Sequence, residues 1–278
     1  MKLIDTFCFN GESIVRFRLK YLDPFVEEFY IIEAWETHSG VKKDELYSIR
    51  HKDWFQDYEG KIKWIIIEKF PEPSLQWYEE NKNNFWMLDN KDHWFREEFQ
   101  RNISISYIDE KYNNMNYCVI VCDVDEIPNK DYLHSNILES ILNNNDEPIY
   151  FEMEFLYYNF NWIKPYKWYK AYLISGKRIK DKQLSSWRTN YNPKYMLKQG
   201  GWHLSYFMNT TNLLRKLRSF AHRECDRPHY DENYIENCII SGRDLFERGQ
   251  EEDCIRKCRN DFPKDFLECI ELFDNQMS

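Results

Sequence analysis

Short apolar runs alternate along this chain with stretches whose apolar residues recur every three or four positions. Lys2–Phe9 has the character of a β-strand, and Glu12–Leu22 carries Ile14, Phe17 and Tyr21 on one helical stripe. Glu28–Glu33 reads as a second strand, Asp44–Tyr58 as a helix, and Lys61–Ile67 as a third strand closed by Pro71 and Pro73. A long aromatic helix over Asn83–Asn102 and a strand at Tyr117–Cys122 follow. This βαβαβαβ order predicts an α/β fold: a Rossmann-like, mostly parallel sheet with helices on both faces. The second half is less regular. Pro148–Tyr158, Trp168–Ile174 and Trp202–Met208 read as strands, and the charged tail Glu247–Ser278 as a helix broken near Pro263. No linker rich in Pro, Gly or Ser divides the chain, and no internal repeat is evident. The expectation is one domain over residues 1–250, with 251–278 as its C-terminal helical extension.

Composition narrows the function. Among 278 residues, 38 Lys plus Arg against 47 Asp plus Glu leave a formal charge of −9, opposite to what a nucleic-acid surface requires. A content of 42% hydrophobic and 31% charged residues describes a globular chain, not a disordered one. Only 8 glycines are present, and none forms G-x-G-x-x-G or G-x-x-x-x-G-K-[ST], which excludes a dinucleotide fingerprint and a P-loop. Met1–Asp5 lacks the apolar core of a signal peptide, and the longest apolar runs fall well short of the ~20 residues of a membrane helix. The 8 cysteines include no C-x-x-C pair; Cys118 and Cys122 sit in an apolar run, and Cys254 and Cys258 are one helical turn apart. A reducing, cytoplasmic setting is the expectation.

The most informative segment is Tyr117–Pro128, where an apolar strand runs into Asp123-Val124-Asp125-Glu126 and then Ile127-Pro128. Ligands of open parallel sheets bind outside the carboxyl ends of the strands, and this is such an end. In extended backbone, residues 123 and 125 share a side, and two like charges so close call for a positive partner. Mn²⁺ or Mg²⁺ bridging to a diphosphate meets that need. A solvated acidic turn is the bland alternative. A strand ending in D-x-D also opens the site of haloacid-dehalogenase-like phosphatases, but the turn comes late here and no distal acidic pair follows. His222-Arg223-Glu224 matches half of a zinc-deaminase signature whose P-C-x-x-C partner is absent.

Several blocks in register carry a resemblance. They are Asp5-Thr6-Phe7 with Asn10-Gly11-Glu12; Ile32-Glu33 with Thr37 and Ser39-Gly40; Trp94-Phe95-Arg96-Glu97 with Gln100-Arg101; Asp123-Val124-Asp125-Glu126-Ile127-Pro128; Gly200-Gly201-Trp202-His203-Leu204-Ser205; and the ending Lys216-Leu217, Ser219-Phe220-Ala221-His222, Glu224 and Gly242–Phe246. Together they resemble the family 17 glycosyltransferases, the β-1,4-N-acetylglucosaminyltransferase III-like family, in a soluble form without a membrane anchor. The resemblance implies a GT-A fold and metal-dependent, inverting transfer of a sugar, N-acetylglucosamine by analogy, from a UDP-sugar to a glycan hydroxyl.

It further implies roles. Asp125 would hold the metal, with Asp123 contacting it directly or orienting the ribose, His203 completing the shell and His222 as its rival. Asp5, Thr6 and Glu33 would lie near the uridine and ribose. Arg96 or Arg101 would neutralise the diphosphate, although Glu97 and Arg101, four apart on one helix, are also explained as an ordinary surface pair. Inversion needs a general base, for which Glu224 comes first and Glu154 second. Trp202, Tyr158 and Trp162 are candidates for the acceptor surface, with strand packing as the competing account. A catalytically silent sugar-binding protein of the same fold is the remaining alternative; the retained carboxylates argue against it.

Overall fold

The computed structural model describes residues 1–82, 91–143, 147–189, 195–220, 227–256, 262–264 and 266–269. In chain order the elements are β1 (Lys2–Cys8), α1 (Val15–Leu22), β2 (Glu28–Ala34), α2 (Tyr47–Arg50), β3 (Ile62–Ile67), α3 (Leu75–Glu80), α4 (Lys91–Asn102), α5 (Ser104–Tyr112) and β4 (Tyr117–Val121). They are followed by β5 (Glu126–Pro128), α6 (Ser135–Asn143), β6 (Ile149–Tyr157), β7 (Asn159–Trp168), β8 (Tyr172–Ser175), α7 (Leu184–Thr189), β9 (Met196–Ser205), α8 (Thr210–Ser219), α9 (Glu232–Ser241) and β10 (Ile255–Arg256).

Strands β3, β2, β1 and β4 lie side by side and parallel, as the alternating pattern predicts. All seven residues of β2 are buried, because helices cover both faces of this half. Side chains alternate between those faces with period two. Leu3, Phe29, Ile31, Cys118 and Ile120 pack with α1 and α6, whereas Ile4, Tyr30, Ile32, Val119 and Val121 pack with Ile108 and Tyr112 of α5 and Trp187 of α7. The other half joins through antiparallel pairings of β8 with β4, β6 with β8, β7 with β6 and β10 with β7, while β9 runs parallel to β6 and antiparallel to β5. Because β1 lies between β2 and β4, the strand order reverses there and opens a crevice beyond their carboxyl ends.

Some elements depart from the sequence reading. Of the helix expected over Asp44–Tyr58, only Tyr47–Arg50 is α-helical, followed by two short 3-10 turns. Only Leu46 and Phe55 are buried there, and that pair makes no continuous apolar stripe. The aromatic segment 159–168 is strand β7. The helix expected over Asn83–Asn102 is seen from Lys91; residues 83–90 lie outside the described residues. In the tail, Ile255–Arg256 form an edge strand instead of a helix, and Phe262 and Phe266 are buried in the core shared with α1. Among the described residues no helix is long and apolar enough to cross a membrane.

Gly200 and Gly201 serve the sheet. Gly201 has φ +146°, and a Cβ there would sit 2.2 Å from the Ile127 carbonyl oxygen; one on Gly200 would sit 2.6 Å from that of Leu197. These glycines allow the backbone of β9 to pass its neighbours closely.

Candidate active site

A cleft of about 430 Å³ opens at this crevice. Its floor is the turn after β4, drawn tight by a hydrogen bond from the Glu126 amide to the Asp123 carbonyl (3.0 Å) and another from the Asp123 amide to Glu126 Oε2 (2.7 Å). Asp123 and Asp125 both line the cleft, but their carboxylates have different partners.

Both oxygens of Asp123 are occupied. Arg101 Nη1 donates to Oδ1 and Arg188 Nη2 to Oδ2, each at 2.6 Å. Burial alone would raise its pKa, but the two guanidinium groups outweigh it and hold the carboxyl down at about 2. The cations have second anchors: Arg101 reaches Glu97 Oε1 at 3.2 Å, and Arg188 grips the fully buried Glu126 at 2.7 and 2.9 Å. A cation at Asp123 would have to displace an arginine. Arg101 reaches the cleft through this clamp.

Asp125 differs. Oδ2 lies 3.2 Å from Lys216 Nζ, and Oδ1 is 3.6 Å from His203 Nε2. Burial opposes its ionisation, but Lys216 and then His203 pull the carboxyl far below the usual range; in return Asp125 raises the pKa of Lys216 against burial. The His203 ring is stacked on Phe155 (4.6 Å between centres) and lies 4.4 Å from the ring of Trp168, and its buried Nδ1 has no partner among the described residues. A gap of 3.6 Å is too long for a hydrogen bond and close to the roughly 3.0–3.4 Å between two ligands of one cation. Among the described residues no group of three His, Cys, Asp or Glu is arranged to hold a metal. A cation here would be held by Asp125 and His203 alone, so its other ligands would have to come from a substrate, such as phosphate oxygens.

The family's sequence model for glycosyltransferase family 17 matches residues 1–258. The chain belongs to glycosyltransferase family 17. No curated protein is detectably similar to it. As a glycosyltransferase it takes a sugar donor and an acceptor, and the sheet with its flanking helices is consistent with a GT-A-like fold.

Other residues expected at the site of this glycosyltransferase stand behind it. Asp5 is fully buried and bound by Arg18 through Nε (2.8 Å) and Nη2 (2.6 Å). Arg18 also donates to the carbonyls of Asp123 (3.2 Å) and Glu126 (2.5 Å), so the pair braces the acidic turn. Thr6 is buried on the opposite face of β1, its hydroxyl without a partner among the described residues. Glu33 accepts from the amides of Tyr47 (2.6 Å) and Ser48 (3.0 Å) and from Lys43 Nζ (3.2 Å), which caps α2. Arg96 holds the His38 carbonyl (3.1 Å) and Glu36 (3.4 Å), steadying the loop after β2. None of these four lines the cleft, because the strand ends are closed over them by that loop and by the acidic turn.

The acceptor and base candidates shift by one position. Glu154 pairs in register with Trp202 and Phe155 with His203, and only the second pair faces the cleft. Glu154 instead neighbours Lys167 Nζ at 3.5 Å, and Trp202 packs on Phe266 with ring centres 4.0 Å apart. Tyr158 donates its hydroxyl to the Arg243 carbonyl (2.9 Å), and the Trp162 indole donates to that of Ile239 (2.8 Å). The aromatic wall of the cleft is Phe155, Tyr157, Tyr166, Trp168, Tyr206 and Phe246. Glu224 and His222 lie outside the described residues.

Three contributors were not assigned a role from sequence. Arg188 stands in no motif, so nothing local marks it. Lys216 belongs to the quoted Lys-Leu block, and His38 lies between the quoted Thr37 and Ser39; their place in the resemblance was the available signal.

Proposed function

We propose that this glycosyltransferase moves N-acetylglucosamine from its UDP donor to a glycan hydroxyl with inversion, assisted by Mn²⁺ or Mg²⁺ at Asp125 and His203. The observation that carries the reading is the cleft in which Asp125 and His203 stand beside Lys216 and Arg101. Sugar departure leaves negative charge on the diphosphate, and charge offset where it develops is the largest contribution such a site makes. Lys216 lies close enough to Asp125 to supply part of that offset, and Arg101 extends it through the Asp123 clamp. The bound cation would supply Lewis-acid stabilisation of the same oxygens. Phe155 and Trp168 hold the His203 ring, and the aromatic wall offers flat faces to an acceptor sugar. Glu224 stays our candidate for the base that takes the acceptor proton. The six described cysteines are free thiols, which suits a cytoplasmic enzyme.

The test is a thermal-shift and turnover panel of nucleotide sugars with and without Mn²⁺. Selective binding stabilises the folded chain by mass action. UDP-N-acetylglucosamine with Mn²⁺ should raise Tm and release UDP slowly even without acceptor. Equal response to all nucleotides, or indifference to the metal, would overturn the reading.

A further inference from the structure

At the end of the cleft away from the aromatic wall, His38 lies in the loop after β2 and contributes to the lining. Its Nε2 is 2.7 Å from Gln100 Oε1, and Gln100 Nε2 donates to the Ile32 carbonyl at 2.8 Å. A carbonyl only accepts, so the amide nitrogen of Gln100 must face Ile32 and its oxygen must face the imidazole. His38 Nε2 therefore carries the hydrogen. In the neutral ring Nδ1 is then a lone-pair acceptor on a residue that lines the cleft. Burial pulls the pKa of His38 down, against the opposing effects of Glu97 and the Gln100 contact, so the ring stays neutral; Arg101 lowers it further and Asp123 raises it.

The ligand end is set by topology. His38 stands beyond β2, with Cys8 at the end of β1 and Ala34 at the end of β2 beside it in the lining. Four residues of the aromatic wall, Phe155, Tyr157, Tyr166 and Trp168, stand on β6 and β7, and β6 is four strand steps from β2, roughly 19 Å along the sheet. The acidic turn lies between. A nucleotide whose diphosphate meets Asp125 and whose sugar meets the aromatics leaves its base for the His38 end.

We infer that His38, locked in one tautomer by Gln100, selects a nucleobase with a ring N–H, and so reads N3–H of uracil in the donor. This rests on the nucleotide-sugar reading above and names the residue that sets base specificity. Cytosine presents a lone pair at N3, which faces the Nδ1 lone pair and is rejected.

The experiment is calorimetric titration of the full chain with UDP, CDP and N3-methyl-UDP in the presence of Mn²⁺. The wild-type chain should bind UDP about tenfold tighter than either analogue, in line with one satisfied against one opposed hydrogen bond. His38→Phe, which keeps an aromatic ring, should bring the three within about threefold by weakening UDP alone. A role in loop packing would instead weaken all three together, and that result overturns the inference, as does a wild-type chain that cannot tell UDP from N3-methyl-UDP. The wild-type comparison needs no variant to fold. Equal binding of the three nucleotides with Mn²⁺-dependent UDP-sugar turnover intact would sink only this inference. Absence of any nucleotide binding would sink the donor reading itself.

Discussion

Two carboxylates two residues apart on one turn have opposite fates. Asp123 is clamped between Arg101 and Arg188, whose own second partners, Glu97 and Glu126, leave neither guanidinium free to swing. Asp125 has one oxygen on Lys216, a single point charge on a flexible stem, and the other facing His203 across 3.6 Å. Both ionise far more readily than an ordinary aspartate, but the first is held by two guanidinium groups and the second by one ammonium. The difference teaches that a depressed pKa alone does not mark a working carboxylate. Asp123 is tied into the turn by two arginines, and in the proposed reading Asp125 is the carboxylate that meets the ligand.

The sharpest way to break that comparison is Asp125→Asn. The amide keeps the shape but loses the charge on which Lys216 and a cation both depend. Turnover of the UDP-sugar should fall about 10³-fold, the scale of losing a preorganised electrostatic partner. Thermal unfolding should move little, since Lys216 reaches solvent. If turnover stays within tenfold of the unaltered chain, the working carboxylate lies elsewhere.

The complementary change, Arg188→Met, strikes the clamp. It leaves the fully buried Glu126 and one oxygen of Asp123 without their guanidinium, and breaking a buried pair in this way costs about 3 kcal/mol. For a chain of this size that is a fall of roughly 6–12 °C in Tm, readable by calorimetry. A shift under about 2 °C would mean that the turn is held by its backbone and by Arg18 alone.

The parallel half of the sheet was legible because each strand buried on both faces leaves a continuous apolar run, and the helices between carry their own periodicity. The turn after β4 was legible for the opposite reason: three carboxylates following such a run can be buried only against charged partners, which marks the place as unusual. Which way each carboxylate faces was not. Extended backbone puts residues 123 and 125 on one side, but the Glu126 amide bond to the Asp123 carbonyl folds the turn and sends them to different partners. Arg188 is distant in sequence from everything it holds, so no spacing could reveal it. Along β6 and β9 the error was one of phase. Glu154 and Trp202 sit one position from Phe155 and His203, and in a strand one position is the other face.

The finest test concerns Lys216, which stands where charge must be present when no cation is bound. If Asp125 is exchangeable, Lys216 and Mn²⁺ compete for it, and Lys216→Met removes the competitor while keeping the length of the stem. A partly buried ion pair of this kind is worth about 1.4 kcal/mol, so the affinity for Mn²⁺ without nucleotide should rise about tenfold in a direct titration. Turnover should fall in the same variant, because Lys216 also offsets diphosphate charge, and the two readouts should therefore move in opposite directions. The corresponding change on the clamped side, Arg101→Met, frees only one oxygen of Asp123 while Arg188 keeps the other, so it should leave the affinity for Mn²⁺ unchanged. Equal gains from both variants would show that the two carboxylates bind one cation together, and the contrast between them would be lost.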